Sequence, residues 1–549
     1  MKLRTQNNYM QSVLVALFVN SLIVTPITNK DGMIIPKMSL MFILALFFIP
    51  FLAKNLKVFF EFRTDKFFLL LNFIILLHCI FVILLSSAPL EQQIYGRTGR
   101  GLGLITVFSL GVISLLAIAF ISQLNSKKVL FWLVSSAFLS SLYSVFQSFG
   151  FDLLKWESRT NGVIGTLGNP NFQSAFAAMV LVPSFLYFLG NRKFLVFGII
   201  ISLFFLFTIF RTQSRQGFVA GFFSVAITIL IYCWYKNKLW FLISFFGSFI
   251  IGICTILGML NRGPLSGYLY NTSIVSRGDM WRSAFTTANE YPFFGVGLDS
   301  FGDYFLKNRD IIAANHSFSE YTDNAHNFYL EQAATGGYPF ALLNLVMVVT
   351  VIYSFFNIQK SINKFEPVVV SLFASWLAFQ MTSIISPGNL VTMHWNAILS
   401  GGIIGLSKFF TPNYAALAQN SNPKIRKSWS TSLVLSILAI VVVFPYFNVD
   451  RLQLKGMQSG DANLVIKATL SFPESTVRYS LIGRELLTSG LTQQSLELAR
   501  SGVEYNPNSP GLWALILVNP SAPLNERLNA KQKILELDPL NQEVKNFNP

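Results

Sequence analysis

The stretch FFLLLNFIILLHCIFVILLS, residues 67–86, decides how the chain is read. It carries no charge over 20 residues. At 1.5 Å per residue, a helix of that length crosses a hydrocarbon layer roughly 30 Å thick. Helix is the economical form for it, because backbone groups in lipid must be satisfied within their own segment. The run is one of many in a chain of 549 residues with 53% apolar, 12% charged and 55 Phe. A soluble domain carries roughly 25% charged residues.

Thirteen spans are placed near 11–27, 36–53, 67–86, 101–122, 128–149, 171–190, 193–210, 217–235, 239–260, 338–357, 367–387, 391–409 and 430–449. The first has the apolar character of a signal peptide. No small-residue cleavage site follows it and a dozen further spans do, so it is read as a retained helix. The fold class is therefore an all-α polytopic membrane protein. Residues 1–449 form the membrane domain, interrupted by a large extracytoplasmic loop at about 261–337, and 450–549 form a helical tail.

Lys and Arg exceed Asp and Glu by 16. No basic patch is interleaved with stacking aromatics in a soluble module, which argues against nucleic acid as a partner. The excess belongs to membrane topology. With Lys2 and Arg4 in the cytoplasm, alternate connections hold Lys54, Lys57, Arg63 and Lys66, then Lys127 and Lys128, Arg192 and Lys193, Lys236 and Lys238, Lys360 and Lys364, and Lys408, Lys424, Arg426 and Lys427. Acids are nearly missing from this set, as expected of cytoplasmic loops. The opposite set, 87–100, 150–170, 211–216, 261–337 and the tail after 450, mixes both signs and faces outward. Cys79, Cys233 and Cys254 lie inside spans, so neither a disulfide framework nor a CxxC metal site is available.

In the tail, Pro473, Pro507 and Pro539 follow helical phrases at spacings of 34 and 32 residues. That is close to the tetratricopeptide period and predicts a short helical-repeat domain, the alternative being a plain helical cap.

Four phrases on the outward set carry polar chemistry. GTLGNPNFQSA, 165–175, has an Asn-Pro turn at the mouth of span six, with Asn169 and Asn171 beside it. RTQSRQG, 211–217, is so short that Arg211 and Arg215 must lie at the outer interface. There they either snorkel to lipid phosphate or grip the diphosphate of a lipid substrate. SRGDMWRSA, 276–284, places Arg277 and Trp281 on one face if helical, whether as an interfacial anchor or as part of a site. YTDNAHNFYLEQAATGG, 321–337, contains His326, one of four histidines.

A neutral imidazole beside permanent cations has its pKa pushed down and stays a proton acceptor at neutral pH. It then serves as a general base, while a departing diphosphate already neutralised by arginines needs no acid. Asp279, Asp299, Asp303, Asp310 and Asp323 are scattered, with Asp299 and Asp303 placed as helix caps. His316 and His326 stand ten apart, unlike a zinc pair on one helix face. No catalytic metal and no cofactor is expected.

Taken in order, GNPN, SRQG, SRGDMWRSA, GVGLDSF and DNAHNFYLEQAATGG resemble the O-antigen ligase and Wzy-type polymerase superfamily, which includes bacterial O-oligosaccharyltransferases. The resemblance covers about residues 90 to 410. It implies a GT-C type fold in the bacterial cytoplasmic membrane. It also implies metal-independent, inverting transfer of a glycan from undecaprenyl diphosphate to a hydroxyl acceptor on the outer face. Arg215 and Arg277 match the family's essential arginines and His326 its essential histidine. Gly217 belongs to SRQG, and Asn169, Asn327, Glu331, Gly295 and Gly297 match recurrent positions with shaping roles.

The partners implied are a lipid-linked glycan donor, a lipid, glycan or protein acceptor, and membrane lipids. The tail, which departs from the common pattern, suggests a protein partner as well. Two rivals remain: a flippase for lipid-linked glycans, which would place ionisable residues deep in several spans, and a scaffold displaying the tail.

Overall fold

The computed structural model describes residues 2–154, 156, 163–189, 192–270, 272–316, 321–410 and 429–548. Lys424, Arg426 and Lys427 of the basic set, and Gly190 at the predicted end of span six, lie outside the described residues. Regular structure among the described residues is entirely helical. Among the described residues nine helices are long and apolar enough to cross a membrane, and two shorter apolar ones, Leu104–Phe120 and Pro367–Ser383, stand where spans four and eleven were expected. Helices Lys2–Leu22 and Pro170–Leu186 occupy the first and sixth positions. The predicted all-α polytopic membrane class is thus the observed one.

The bundle is organised around span twelve, Leu390–Ser407, which is buried along almost its whole length and packs along span four. Its Gly401 permits this: a Cβ there would drive into the Ser114 carbonyl of span four. Small residues let membrane helices approach in this way without a hydrophobic driving force. Span nine, Lys238–Met259, by contrast shows nearly its whole surface outward. Trp376, Trp395, Phe176 and Phe205 are among the fully buried side chains that fill the core between these extremes.

Several spans begin at asparagine caps. Asn169 accepts from the Asn171 amide, Asn327 from Tyr329 and Leu330, and Asn389 from Val391 and Thr392. Each satisfies amides that the first helical turn leaves without partners.

One boundary differs from expectation. Span ten was placed at 338–357, but its helix runs Phe328–Ile362, so EQAATGG is helix and not loop. Hydropathy hid this turn because it is polar. Gly337, at φ 78° and with a Cβ position already occupied by the Phe293 backbone, kinks the helix between its polar and apolar parts. The described residues of the 261–337 connection have helix Thr272–Glu290 as their main element.

The spans also bury polar groups. Ser21 Oγ lies 3.3 Å from His394 Nε2 and accepts from Trp395 Nε1 at 2.9 Å, and Lys37 Nζ donates to the Ile23 carbonyl at 2.6 Å. His394 and Lys37 each sit one turn from the start of their helices, and Asp65 meets Lys408 at 3.8 Å where span three begins and span twelve ends. These groups are therefore near the ends of the helices, away from the middle.

The tail forms helices Ala462–Thr469, Thr476–Thr488, Thr492–Tyr505, Pro510–Val518, Leu524–Leu537 and Gln542–Asn546, each packed on the next around a core of its own that includes Tyr479, Leu496 and Leu512. Its connection to span thirteen is one continuous helix, Trp429–Ser459.

Candidate functional site

His326 is mounted on a short turn between Asp323 and the helix that Asn327 caps. Its φ of 47° is in the left-handed region, which a residue with a side chain enters only where its surroundings hold it. Here the His326 amide donates to Asn324 Oδ1 at 2.9 Å, and the His326 carbonyl accepts from Trp281 Nε1 at 3.4 Å. The backbone is anchored while the imidazole makes no hydrogen bond among the described residues. Burial, the Arg277 charge and the Arg100 charge push its pKa down, Asp323 opposes them, and the balance lies at about 4. The ring is neutral at physiological pH and able to accept a proton.

Two clefts meet at His326. One is lined by Arg215, Arg277, Ser276, Ser214, Gln213 and Asn171, with no carboxylate among the described residues of its walls. The other is lined by Arg100, Asp323, Asn169, Asn324 and Asn389. His326 and Asn171 border both. The first cleft is cationic. The second is polar and charge-balanced: Arg100 is ion-paired with Asp299 and Glu331, its Nη1 donates to the Asp323 carbonyl at 2.6 Å, and Asn324 Nδ2 donates to Asp323 Oδ1 at 2.6 Å.

The two arginines of the first cleft are held differently. Arg215 opens span eight and donates through Nη1 to the carbonyls of Leu269 and Tyr270 at 2.5 and 2.7 Å, with no acidic counterpart among the described residues. Arg277 sits on helix Thr272–Glu290, one turn before Trp281, and makes no ion pair among the described residues. Burial lowers its pKa. Asp279, which could have neutralised it, is taken by Arg282 at 2.5 Å and by His316 Nδ1 at 3.0 Å. Arg211 stands apart from both clefts, donating to the Ser148 carbonyl at 2.5 Å and lying 5.5 Å from the Phe149 ring.

The shaping residues are tied to these elements. Ser214 Oγ donates to Asn171 Oδ1 at 2.7 Å, joining the SRQG turn to the GNPN turn. Gly217 lets span eight approach span six, where a Cβ would strike Ser174. Gly295 and Gly297 both take positive φ in the turn that packs against span ten, where their neighbour Val296 donates to the Ala334 carbonyl and Gly297 to that of Thr335. Glu331 pairs with Arg100.

Arg97 and Arg100, in YGRTGRG, were not singled out from sequence. Arg97 Nη1 binds Asp303 Oδ1 at 3.0 Å and Nη2 reaches the Tyr321 hydroxyl at 2.5 Å. Arg100 Nε binds Asp299 Oδ1 at 3.1 Å. Asp299 and Asp303 were expected to cap helices. Instead they are the anionic partners of these two arginines, and Asp299 Oδ2 accepts from the amides of Arg97 and Leu102. The partners lie some two hundred residues apart, so only the Arg-x-x-Arg spacing within an outward turn offered a signal.

Most residues of the first cleft, and Asp323, Asn324 and His326 of the second, fall within one segment that a family model recognises. Residues 200–345 match the Wzy_C family model, O-antigen ligase. The matched O-antigen-ligase segment contains Arg211, Arg215, Gly217, Arg277, Trp281, Gly295, Gly297, His326, Asn327 and Glu331, whereas Asn169, Asn171, Arg97 and Arg100 precede it. The resemblance is therefore borne out over this part of the wider range read from sequence. An uncharacterized protein of Haemophilus influenzae is 23% identical over 249 residues, covering 42% of this chain and 60% of its own length.

Proposed function

We propose that the protein transfers a glycan from undecaprenyl diphosphate to a hydroxyl acceptor on the outer face of the bacterial cytoplasmic membrane. The observation that carries this reading is the placement of one uncharged imidazole between a cationic cleft and a charge-balanced polar one. Arg215 and Arg277 bind the diphosphate, which suits guanidinium because it remains charged and forks onto phosphate oxygens. The acceptor enters from the Asn169, Asn324 and Asn389 side. His326 takes the proton from the acceptor hydroxyl as its oxygen bonds to the anomeric carbon. The carbon–phosphate oxygen bond breaks in the same displacement, its electron pair leaves with the diphosphate, and the anomeric configuration inverts. The arginines stabilise the charge that grows on the leaving oxygens.

Alignment across the two clefts supplies the proximity such a displacement needs. No step draws on a metal or a cofactor. Lys37, His394 and the Asp65–Lys408 pair lie near helix ends, and His78, farther inside span three, is held against the Gly336 carbonyl at 2.7 Å, an arrangement that favours transfer over a flippase.

The test is reconstitution in proteoliposomes with a lipid-diphosphate-linked glycan and a hydroxyl acceptor, the product being followed by mass spectrometry. His326→Ala should lower kcat by about 10²- to 10⁴-fold, and Arg215→Ala should raise the donor KM. If both variants insert normally and transfer as the parent does, the reading is wrong.

A further inference from the structure

The tail reaches the site through two loops. Arg309 Nη2 binds both carboxylate oxygens of Asp538 at 2.9 and 3.1 Å, with the side chains 1% and 2% exposed. Asn506 Nδ2 donates to Asp303 Oδ2 at 3.0 Å, and Ser475 Oγ shares a hydrogen bond of 2.7 Å with Thr98 Oγ1. Thr98 lies between Arg97 and Arg100. Asp303 holds Asn506 with one oxygen and Arg97 with the other. Arg100 then carries the connection inward, to the Asp323 carbonyl three residues before His326 and to Glu331 in the first turn of the helix after it.

A tail that merely covered the bundle would not need charged groups buried in series. Arg97, Arg100, Asp299 and Asp303 are all buried, and a buried ion whose partner is removed is left uncompensated, so a change at one end is felt at the next. The series ends on the turn whose backbone is held at an unfavourable φ.

We infer that the C-terminal helical tail is a clamp that sets the position of the His326 turn, with Arg97 and Arg100 as the positioning residues through which it acts. The catalytic consequence rests on the function proposed above. The mechanical one does not.

The experiment uses the full chain in lipid nanodiscs, comparing the parent with Asp538→Asn, Asn506→Ala and the exchanged pair R309D/D538R. Hydrogen exchange over 321–331 should quicken about tenfold in the first two variants, because the opening that exposes these amides is no longer opposed by the tail. The kcat should fall about tenfold or more with donor KM within about twofold, as expected when a base is displaced by a fraction of an ångström. The exchanged pair should recover part of both effects. If exchange rises only within 450–548 while 321–331 keeps the parent rate, the clamp is refuted whatever the activity. If 321–331 quickens but the donor KM rises and kcat holds, the assignment of Arg97 and Arg100 to positioning His326 is refuted. If 321–331 quickens while even the parent transfers no glycan, the clamp stands and the functional reading falls. Should Asp538→Asn fail to fold, Asn506→Ala, which removes only a neutral amide, carries the measurement.

Discussion

At the scale of single residues, the state of His326 is set by competition among four surroundings. Burial opposes the imidazolium, Arg277 and Arg100 oppose it further, and Asp323 favours it. Removing Arg277 takes away a cation that disfavours protonation, so the pKa must rise. The base is then lost to protonation at a higher pH. In the parent, kcat/KM should fall on the acid side as pH approaches about 4. In Arg277→Gln that limb should move toward neutral pH, alongside weaker donor binding. A pH profile of kcat/KM for both proteins checks this, and a limb that stays in place would remove Arg277 from the surroundings that tune His326. The same sign governs stability. A histidine with a lowered folded pKa stabilises least in acid, so its contribution is complete above pH ~6.5 and is lost as pH falls toward about 4.

At the scale of elements, the start of span ten carries the site. Asn327 accepts from the amides of Tyr329 and Leu330, fixing the first turn of the helix immediately after His326. Replacing it with Ala should cost about 1 kcal/mol of stability, while Ser, which also caps, should restore most of it. Thermal unfolding of the purified variants measures the difference, and equal midpoints for Ala and Ser would show that the cap contributes nothing. Hydropathy alone placed this helix ten residues late, because its first turns are polar and contact the Arg100 loop instead of lipid. The apolar interiors of the spans were legible because lipid solvation writes them as long uncharged runs. Arg215, Arg277 and His326 were legible too, as polar groups where such runs break. The Arg97–Asp303 and Arg100–Asp299 pairs were not, since long-range ion pairing leaves no local pattern.

At the scale of the whole molecule, the connections that the charge pattern assigns outward gather at one end of the bundle. Ser214 meets Asn171, Arg97 meets Asp303, and the tail meets both through Ser475 and Asn506. The basic residues Lys364 and Lys408 belong to the opposite set, with Lys408 beside Asp65 at the other end. This gathering makes sidedness an all-or-none property: if one outward loop is extracytoplasmic, the rest of that end and the tail must be as well. Substituted-cysteine labelling tests it on a background lacking Cys79, Cys233 and Cys254. Tyr268, strongly exposed in the long loop, and Glu504 in the tail offer sites on one end, and Lys364 on the other. An impermeant maleimide added to intact spheroplasts should label Tyr268→Cys and Glu504→Cys, and should label Lys364→Cys only after the membrane is opened. The reverse pattern would put both clefts on the cytoplasmic side, where a lipid-linked donor already moved to the outer leaflet is out of reach, and would overturn the proposed acceptor chemistry along with the topology.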